Sequence, residues 1–382
     1  MNILEEIQNC PVEWKELGEV CSVKKGKQLN KNLLTEDGLY PAYNGGQTYS
    51  GRTNNYNVEA NTIIVSQGGA SAGFVNFVDT KFWANAHCYY ILPDETRVNN
   101  RFVYHFVKMN QKYLMDFQHG AGIPALKADK LSKLLLPIPP LEIQEKIVQT
   151  LDKFTDYVTE LTSELTSRKK QYSFYRDKLL SFEDEVYQVE WKKLNECLKK
   201  GKGTKITASQ MKLLHKDGAP IRIFAGGKTY ADVNYGDIPD KDIHTEEAIV
   251  VKSRGIIDFE YCTEPFSFKN EFWSYSSDNE NINLRYIYHY LVHNKEHFQN
   301  IANNMQMPQI SSNDTEKFKI PVPSLEIQSR IVQVLDNFDT ICHDLNIGLP
   351  KEIELRQKQY DFFREKLLTF VAEGEYTESR VE

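Results

Sequence analysis

The sequence predicts an α+β protein built as an internal repeat. It has two similar α+β modules separated by two long antiparallel helices that form a coiled coil, with the halves related by a pseudo-two-fold axis. Three observations lead there. Leu136-Pro137-Ile138-Pro139-Pro140-Leu141-Glu142-Ile143-Gln144 returns 184 residues later as Ile320-Pro321-Val322-Pro323-Ser324-Leu325-Glu326-Ile327-Gln328, and the run Lys170 to Phe182 returns 188 residues later as Lys358 to Phe370. A period this long makes half the chain the architectural unit. After each Pro-rich segment the apolar positions fall into a heptad spacing, and before each the sequence reads as short strands with one helical stripe.

The first module is placed at 1–138. Thr62-Ile63-Ile64-Val65 and Gly73 to Val78, bounded by Gly, Asn and Asp, read as strands. Phe102, Phe106, Met109, Tyr113 and Phe117 form a stripe, so one helix is expected late in the module. The first spacer helix is placed at 139–184. Pro137, Pro139 and Pro140 suit its start, and Ile147, Leu151, Phe154, Val158, Leu161, Leu165, Arg168, Tyr172, Tyr175, Leu179 and Phe182 form its seam. A helix from Leu141 to Phe182 is about 60 Å long at about 1.5 Å per residue.

The second module is placed at 185–322 and matches the first at scattered points. Val12-Glu13-Trp14-Lys15 corresponds to Val189-Glu190-Trp191-Lys192, Gly45-Gly46 to Gly226-Gly227, Thr48-Tyr49 to Thr229-Tyr230, and Arg101 with Tyr104-His105 to Arg285 with Tyr288-His289. Its helix is placed at 323–374, followed by a tail at 375–382. That helix carries an extra four-residue step between Leu349 and Ile353, and Gly348 and Pro350 flank it, so a break at 346–351 is expected. A two-fold relation makes the helices antiparallel; ordinary packing inside a globular bundle is the competing interpretation of both seams.

Composition narrows the function. The chain has 382 residues, 41% hydrophobic, and a formal net charge of −7, so it is not coated in positive charge and any polyanion binding must be local. Six cysteines lie scattered without C-x-x-C pairs, which fits reduced thiols. No stretch approaches the length of a membrane span and the start is neither basic nor apolar, so a soluble cytoplasmic protein is expected.

The repeated P-x-P-x-L-E-I-Q segment, the K-Q-Y-x-[FY]-[FY]-R-x-K-L-L-x-F helix end, and Gly348-Leu349-Pro350-Lys351-Glu352-Ile353 resemble the specificity subunit of type I restriction-modification enzymes. The resemblance covers the whole chain and is specific in the helical regions. It implies that each module is a target recognition domain reading one half of a split site in double-stranded DNA. The helices would space the halves and dock two methyltransferase subunits, with restriction or translocase subunits as further partners. It implies no cofactor on this chain, S-adenosylmethionine belonging to the methyltransferase partner. Two different modules imply an asymmetric target, and a spacing near one helical turn, about 34 to 36 Å, would put both in major grooves on one face.

Lys24, Lys25 and Lys27, and Lys199, Lys200, Lys202 and Lys205, hold comparable places after the two tryptophan landmarks and are candidate phosphate contacts; a solvated loop is the alternative. Base reading needs paired donors and acceptors. The candidates are Asn44, Gln47, Arg52, Gln67 and Lys127 in the first module, and Arg222, Lys228, Arg254, Gln306 and Gln309 in the second, each of which could equally be ordinary surface. Gly45-Gly46 and Gly226-Gly227 read as turn residues with positive φ. Tyr172, Tyr175 and Arg176, with their repeats Tyr360, Phe363 and Arg364, are the candidate packing and partner-docking residues.

No catalytic residue is assigned. Gly201-Lys202-Gly203-Thr204 is too short for a P-loop, and no N-P-P-[FY] or D-P-P-[FY] element of an adenine methyltransferase occurs. His289, His293 and His297 are spaced along one helix face, but without the glutamate of H-E-x-x-H they read as that face and no metal is assigned. The expectation is a non-catalytic, sequence-specific DNA-binding subunit. The alternative is a structural coiled-coil adaptor that no longer binds DNA.

Overall fold

The computed structural model describes residues 3–116, 125–182, 189–304 and 307–370. They form two compact units, one holding the chain up to Thr162 together with the residues from Glu352 on, the other holding Ser163–Lys351.

In the first unit α1 (Ile3–Asn9), β1 (Glu13–Glu16), α2 (Leu17–Val20) and β2 (Cys21–Lys25) are followed by a hairpin of β3 (Tyr40–Tyr43) and β4 (Gly51–Thr53). Next come β5 (Thr62–Ser66), β6 (Val75–Val78), β7 (Trp83–Ala84) and β8 (Cys88–Pro93), then α3 (Asn100–Met109), α4 (Gln111–Asp116), α5 (Ala128–Ser132), β9 (Leu135–Ile138) and the 41-residue helix α6 (Leu141–Ser181). The strands make an antiparallel sheet in the order β2-β8-β5-β6, a smaller sheet β4-β3-β7 in which β3 and β7 run parallel, and the pair β1–β9.

Strand β5 explains the layering. All five of its residues are buried, and their alternation sends Ile63 and Val65 into the core shared with α3 while Ile64 faces Phe82, Ala84 and Cys88 beneath the smaller sheet. Helix α3 begins at Asn99, whose side chain accepts from the Arg101 and Phe102 amides. The single expected helix is divided after Met109. Asn110 caps α3 with φ −86° and ψ 10°, away from helical backbone; its amide still makes the helical bond to the Phe106 carbonyl, its side chain donates to the same carbonyl at 2.9 Å, and α4 follows as a separate segment. Phe117 lies outside the described residues.

The second unit repeats this plan. β10 (Glu190–Lys193), α7 (Leu194–Cys197), β11 (Lys199–Lys202), α8 (Ala208–Leu214), β12 (Ile221–Phe224), β13 (Tyr230–Val233), β14 (Ala248–Lys252), β15 (Asp258–Cys262), β16 (Phe266–Phe268) and β17 (Trp273–Ser276) are followed by α9 (Leu284–His293), α10 (Lys295–Asn303), α11 (Ser312–Glu316), β18 (Lys319–Val322) and α12 (Leu325–His343). α13 (Leu349–Leu368) carries the chain back into the first unit. The sheets are β11-β17-β14-β15, β13-β12-β16 with β12 and β16 parallel, and β10–β18, so every pairing of the first unit recurs. Helix α8 is an addition: Thr207 caps it, and Met211 joins Ile206, Ile221, Ile223 and Val233 in a core of their own.

The repeated prolines occupy two structural positions. Pro137 lies in β9 opposite Trp14, and Pro321 lies in β18 opposite Trp191; each ladder has only two strands, where a missing N–H is tolerated. Pro140 then starts α6 by accepting from the Ile143 and Gln144 amides.

The glutamine closing each repeat ties the helix to its module. Gln144 accepts from the Asn99 amide at 2.7 Å and donates to the Arg97 and Pro139 carbonyls, and Gln328 does the same with the Asn283 amide at 2.8 Å and the Asn281 and Pro323 carbonyls. A second tie sits about two turns on. Asp152 binds Arg101 and His105 at 2.5 and 2.7 Å, and Asp336 binds Arg285 and His289 at 2.9 and 2.7 Å. Burial holds both histidines below their ordinary pKa despite the adjacent carboxylate. Burial works to raise Asp152, but the bonds from His105 and Arg101 outweigh it and keep the carboxyl low.

Helices pair within each unit. In the first, Ile143 and Ile147 share a core with Leu367 and Leu368, while Phe154 stacks on Phe363 at 5.1 Å. In the second, Tyr172 meets His343, Tyr175 meets Phe338 at 5.8 Å, and Leu180 joins Ile331 and Leu335. Residue numbers rise on one helix as they fall on the other, so each pair is antiparallel. The break falls at 344–348. Asp344 accepts from the Asn346 and Ile347 amides, and a Cβ on Gly348 would lie 2.4 Å from the Thr340 carbonyl oxygen. Pro350 occupies the first turn of α13, where its ring is tolerated. Leu345 is 71% exposed because it belongs to this connector.

Candidate functional site

One end of the four-stranded sheet gathers residues distant in sequence. In the first unit the C-terminal ends of β2 and β5 and the N-terminal ends of β6 and β8 lie there. The Lys27 amide bonds the Ala84 carbonyl, the Gln67 amide bonds His87, and the Leu126 amide bonds Gln67. The loop 44–50 joins them because the Ser66 hydroxyl donates to the Gly46 carbonyl at 3.1 Å and the Asn76 amide group to the Gln47 carbonyl at 2.7 Å. Lys25, Lys27, Asn44, Gln47, Gln67 and Lys127 are thus brought to one end, with all but the half-buried Gln67 exposed. Lys24 is one residue further down β2, opposite Tyr90.

Two glycines make this packing possible. Gly26 and Gly203 hold the same place after the first strand, and a Cβ on either would lie 2.1 or 2.2 Å from a carbonyl oxygen, of Asn85 or of Phe268. Of the paired glycines, Gly45 and Gly227 adopt positive φ, at 80° and 61°.

The second unit assembles the same end from Lys202, Lys205, Lys228, Arg254 and Gln309. The Ile310 amide bonds Ser253 as Leu126 bonds Gln67, and Arg254 forms a bridge with Gln309 as Gly68 does with Ala125. Gln306 lies outside the described residues.

Four candidates sit elsewhere or are engaged within the module. Lys199 is ion-paired with Asp278, and Lys200 with Glu316 at 2.6 Å, at the opposite end of β11. Arg52 donates to the Gly38 and Leu39 carbonyls at 2.6 and 2.9 Å. Arg222 bonds Asp232 at 2.8 Å, which with its hydrogen bonding raises the guanidinium pKa, and lies 4.2 Å from the Tyr230 ring centroid.

Three of the candidate packing and docking residues pack within the chain. Tyr360 is buried, its hydroxyl 3.0 Å from His105 Nδ1; Phe363 is stacked on Phe154; Tyr172 packs on Phe338. They occupy seam positions and therefore face inward. Arg364 pairs with Asp361 at 3.0 Å and is largely covered, whereas Tyr175 is 44% exposed and Arg176 lies beside Asp177. The outward face of the same repeat bears Phe174 and Phe362, 61% and 56% exposed. Next to each lies the same polar triad, Glu164-Arg168-Gln171 and Glu352-Arg356-Gln359.

Sequence reasoning also passed over Tyr49 and Tyr230, half exposed at matched places beside the two hairpin loops. The surviving Thr-Tyr match was the signal. The three histidines of α9 and α10 take separate partners: Asp336 for His289, Asp177 for His293, and the Phe318 ring for His297. No group of three or more His, Cys, Asp or Glu side chains able to hold a metal ion occurs among the described residues, and none of their helices is long and apolar enough to cross a membrane.

Comparison with known proteins agrees with this construction. The family described as type I restriction modification DNA specificity domain matches twice, at residues 11–168 and 188–355. The chain is 30% identical to the type I restriction enzyme EcoR124I/EcoR124II specificity subunit of Escherichia coli, across 97% of each protein. Its fold is similar to the crystal structure of a type I restriction-modification S subunit from M. genitalium, with TM-score 0.71, 23% identity, and coverage of 95% of this chain and 98% of the other. A chain from a structural study of complex assembly and conformational transition of the type I R-M system is also similar, with TM-score 0.55, 16% identity and coverage of 94% and 98%. Two matched domains and full-length similarity make this chain a member of the family of type I restriction-modification specificity subunits.

Proposed function

We propose that this chain gives a type I restriction-modification assembly its DNA address, each module reading one half of a bipartite, asymmetric target. The observation that carries this reading is that one backbone frame presents different side chains at the same sheet end: Asn44, Gln47, Gln67 and Lys127 in one unit, Lys228, Arg254 and Gln309 in the other. Lys25 and Lys202, at matched places beside these ends, suit phosphate contacts that position the module, while the amides and arginine suit base edges. The uninterrupted helix between the modules would set the number of unread base pairs.

The chain itself is read as non-catalytic. Methyl transfer and its S-adenosylmethionine belong to two methyltransferase subunits, with restriction or translocase subunits as further partners, all acting in the cytoplasm. The twin faces around Phe174 and Phe362 favour docking of two copies of one partner, since the same exposed side chains recur where the modules have diverged. Mapping methylated adenines genome-wide in cells with and without this chain tests the reading. A two-part motif should vanish on deletion, and an unchanged methylation pattern would refute it.

A further inference from the structure

The two hairpin loops at the reading ends are anchored by different chemistry. In the first unit both anchors are neutral, Ser66 and Asn76. The matched positions in the second unit are Lys252 and Glu260, since β14 pairs with β15 in the same register as β5 with β6. Lys252 is 3% exposed. Its ammonium donates to the Gly227 carbonyl at 2.9 Å and to Glu260 at 2.5 Å, with the Phe224 ring centroid 5.4 Å away.

A buried lysine is retained only where its charge is paired and its donors are used. Here one donor holds the loop, and the carboxylate that pairs it rises from the neighbouring strand. Gly227 has no atom within 4 Å of where a Cβ would sit, so that side of the loop tip is open; beside the turn's own bonds from the Ala225 amide to Thr229 and from the Thr229 amide to Gly226, the lysine bond ties the tip to the sheet. Lys228, a candidate base contact, is the next residue. We propose that Lys252 and Glu260 are positioning residues that fix the loop 225–229 and so determine which half-site the second module reads. This rests on the DNA-reading function above. It assigns to a buried lysine and its partly exposed partner control over base discrimination at one half of the target only.

The test is made in the native cell with the full chain. K252M removes the charge at similar length, and the double variant K252S/E260N introduces the neutral anchors of the first module. Methylated-adenine mapping is expected to show the half-site of the first module unchanged and at least one position of the other half relaxed, with discrimination there reduced about tenfold or more. A motif unchanged in both halves overturns the proposal, as does equal loss of both halves, which is what a merely structural role predicts. If K252M fails to accumulate, the double variant decides by the same criteria. Deleting the chain without any change in methylation would instead overturn the DNA-reading function and this inference with it.

Discussion

In the first unit the loop 44–50 is held by a serine hydroxyl and an asparagine amide, whereas in the second the shorter loop 225–229 hangs on a buried lysine and its glutamate. At the other end of the modules the chemistry does not differ. Gln144 and Gln328 bind the same three backbone groups, and Asp152 and Asp336 grip the same arginine and histidine. The repeat is therefore retained where each module meets its helix and is free to vary where the sheets end. A protein that must read two different sequences from one scaffold would be divided in this way.

Exchanging the two modules between their helices is the largest perturbation of that comparison. The order of half-sites in the methylated motif is expected to exchange completely, because the module-to-helix ties are equivalent. A motif in unchanged order would mean that the reading does not reside in the modules.

Removing the glutamine ties probes the equivalence energetically. Q144A and Q328A each strand one amide and two carbonyls, and each is expected to destabilise its own unit by about 3 kcal/mol, read by hydrogen exchange of the sheet amides. A clear inequality would show that one module depends less on its helix.

Acidification should weaken both units together. Burial keeps His105 and His289 below their ordinary pKa, so the unfolded chain takes up protons first as pH falls. Their contribution is complete above about pH 6.5 and is lost as pH drops through that value toward the folded pKa. Thermal midpoints at pH 7.5 and 5.5 should differ in that direction, and replacing either histidine by glutamine should reduce the dependence.

The smallest effect separates the units. Y360F loses the hydroxyl contact to His105 and should cost about 1 kcal/mol. Y172F, at the matching place, changes a ring that packs on Phe338 and His343 and should be nearly neutral by the same melting measurement.

Periodicity made much of the fold legible. The heptad spacing marked α6 to within a residue of its observed end, and the Gly348-Leu349-Pro350 step marked the break before α13. Strands β5 and β6 were visible because β-branched and apolar residues ended at glycine and asparagine. Two other features were hidden. The division between α3 and α4 falls where the backbone of one residue, Asn110, leaves helical angles, a choice composition does not reveal. Tyr360 and Phe363 were open to packing and to docking alike, because aromatic residues near a helix end suit either, and only burial distinguishes the two.

By itself the sequence determined that there are two modules, that each precedes a long helix, and which residues recur, since repetition and heptad spacing are properties of linear order. Tertiary structure decided which scattered side chains share a sheet end. It also decided that Lys199, Lys200, Arg52 and Arg222 have partners within their own modules and that Lys252 is buried beneath a loop. Those outcomes depend on strand pairing between residues far apart along the chain, where a shift of one residue would reverse every side chain's face.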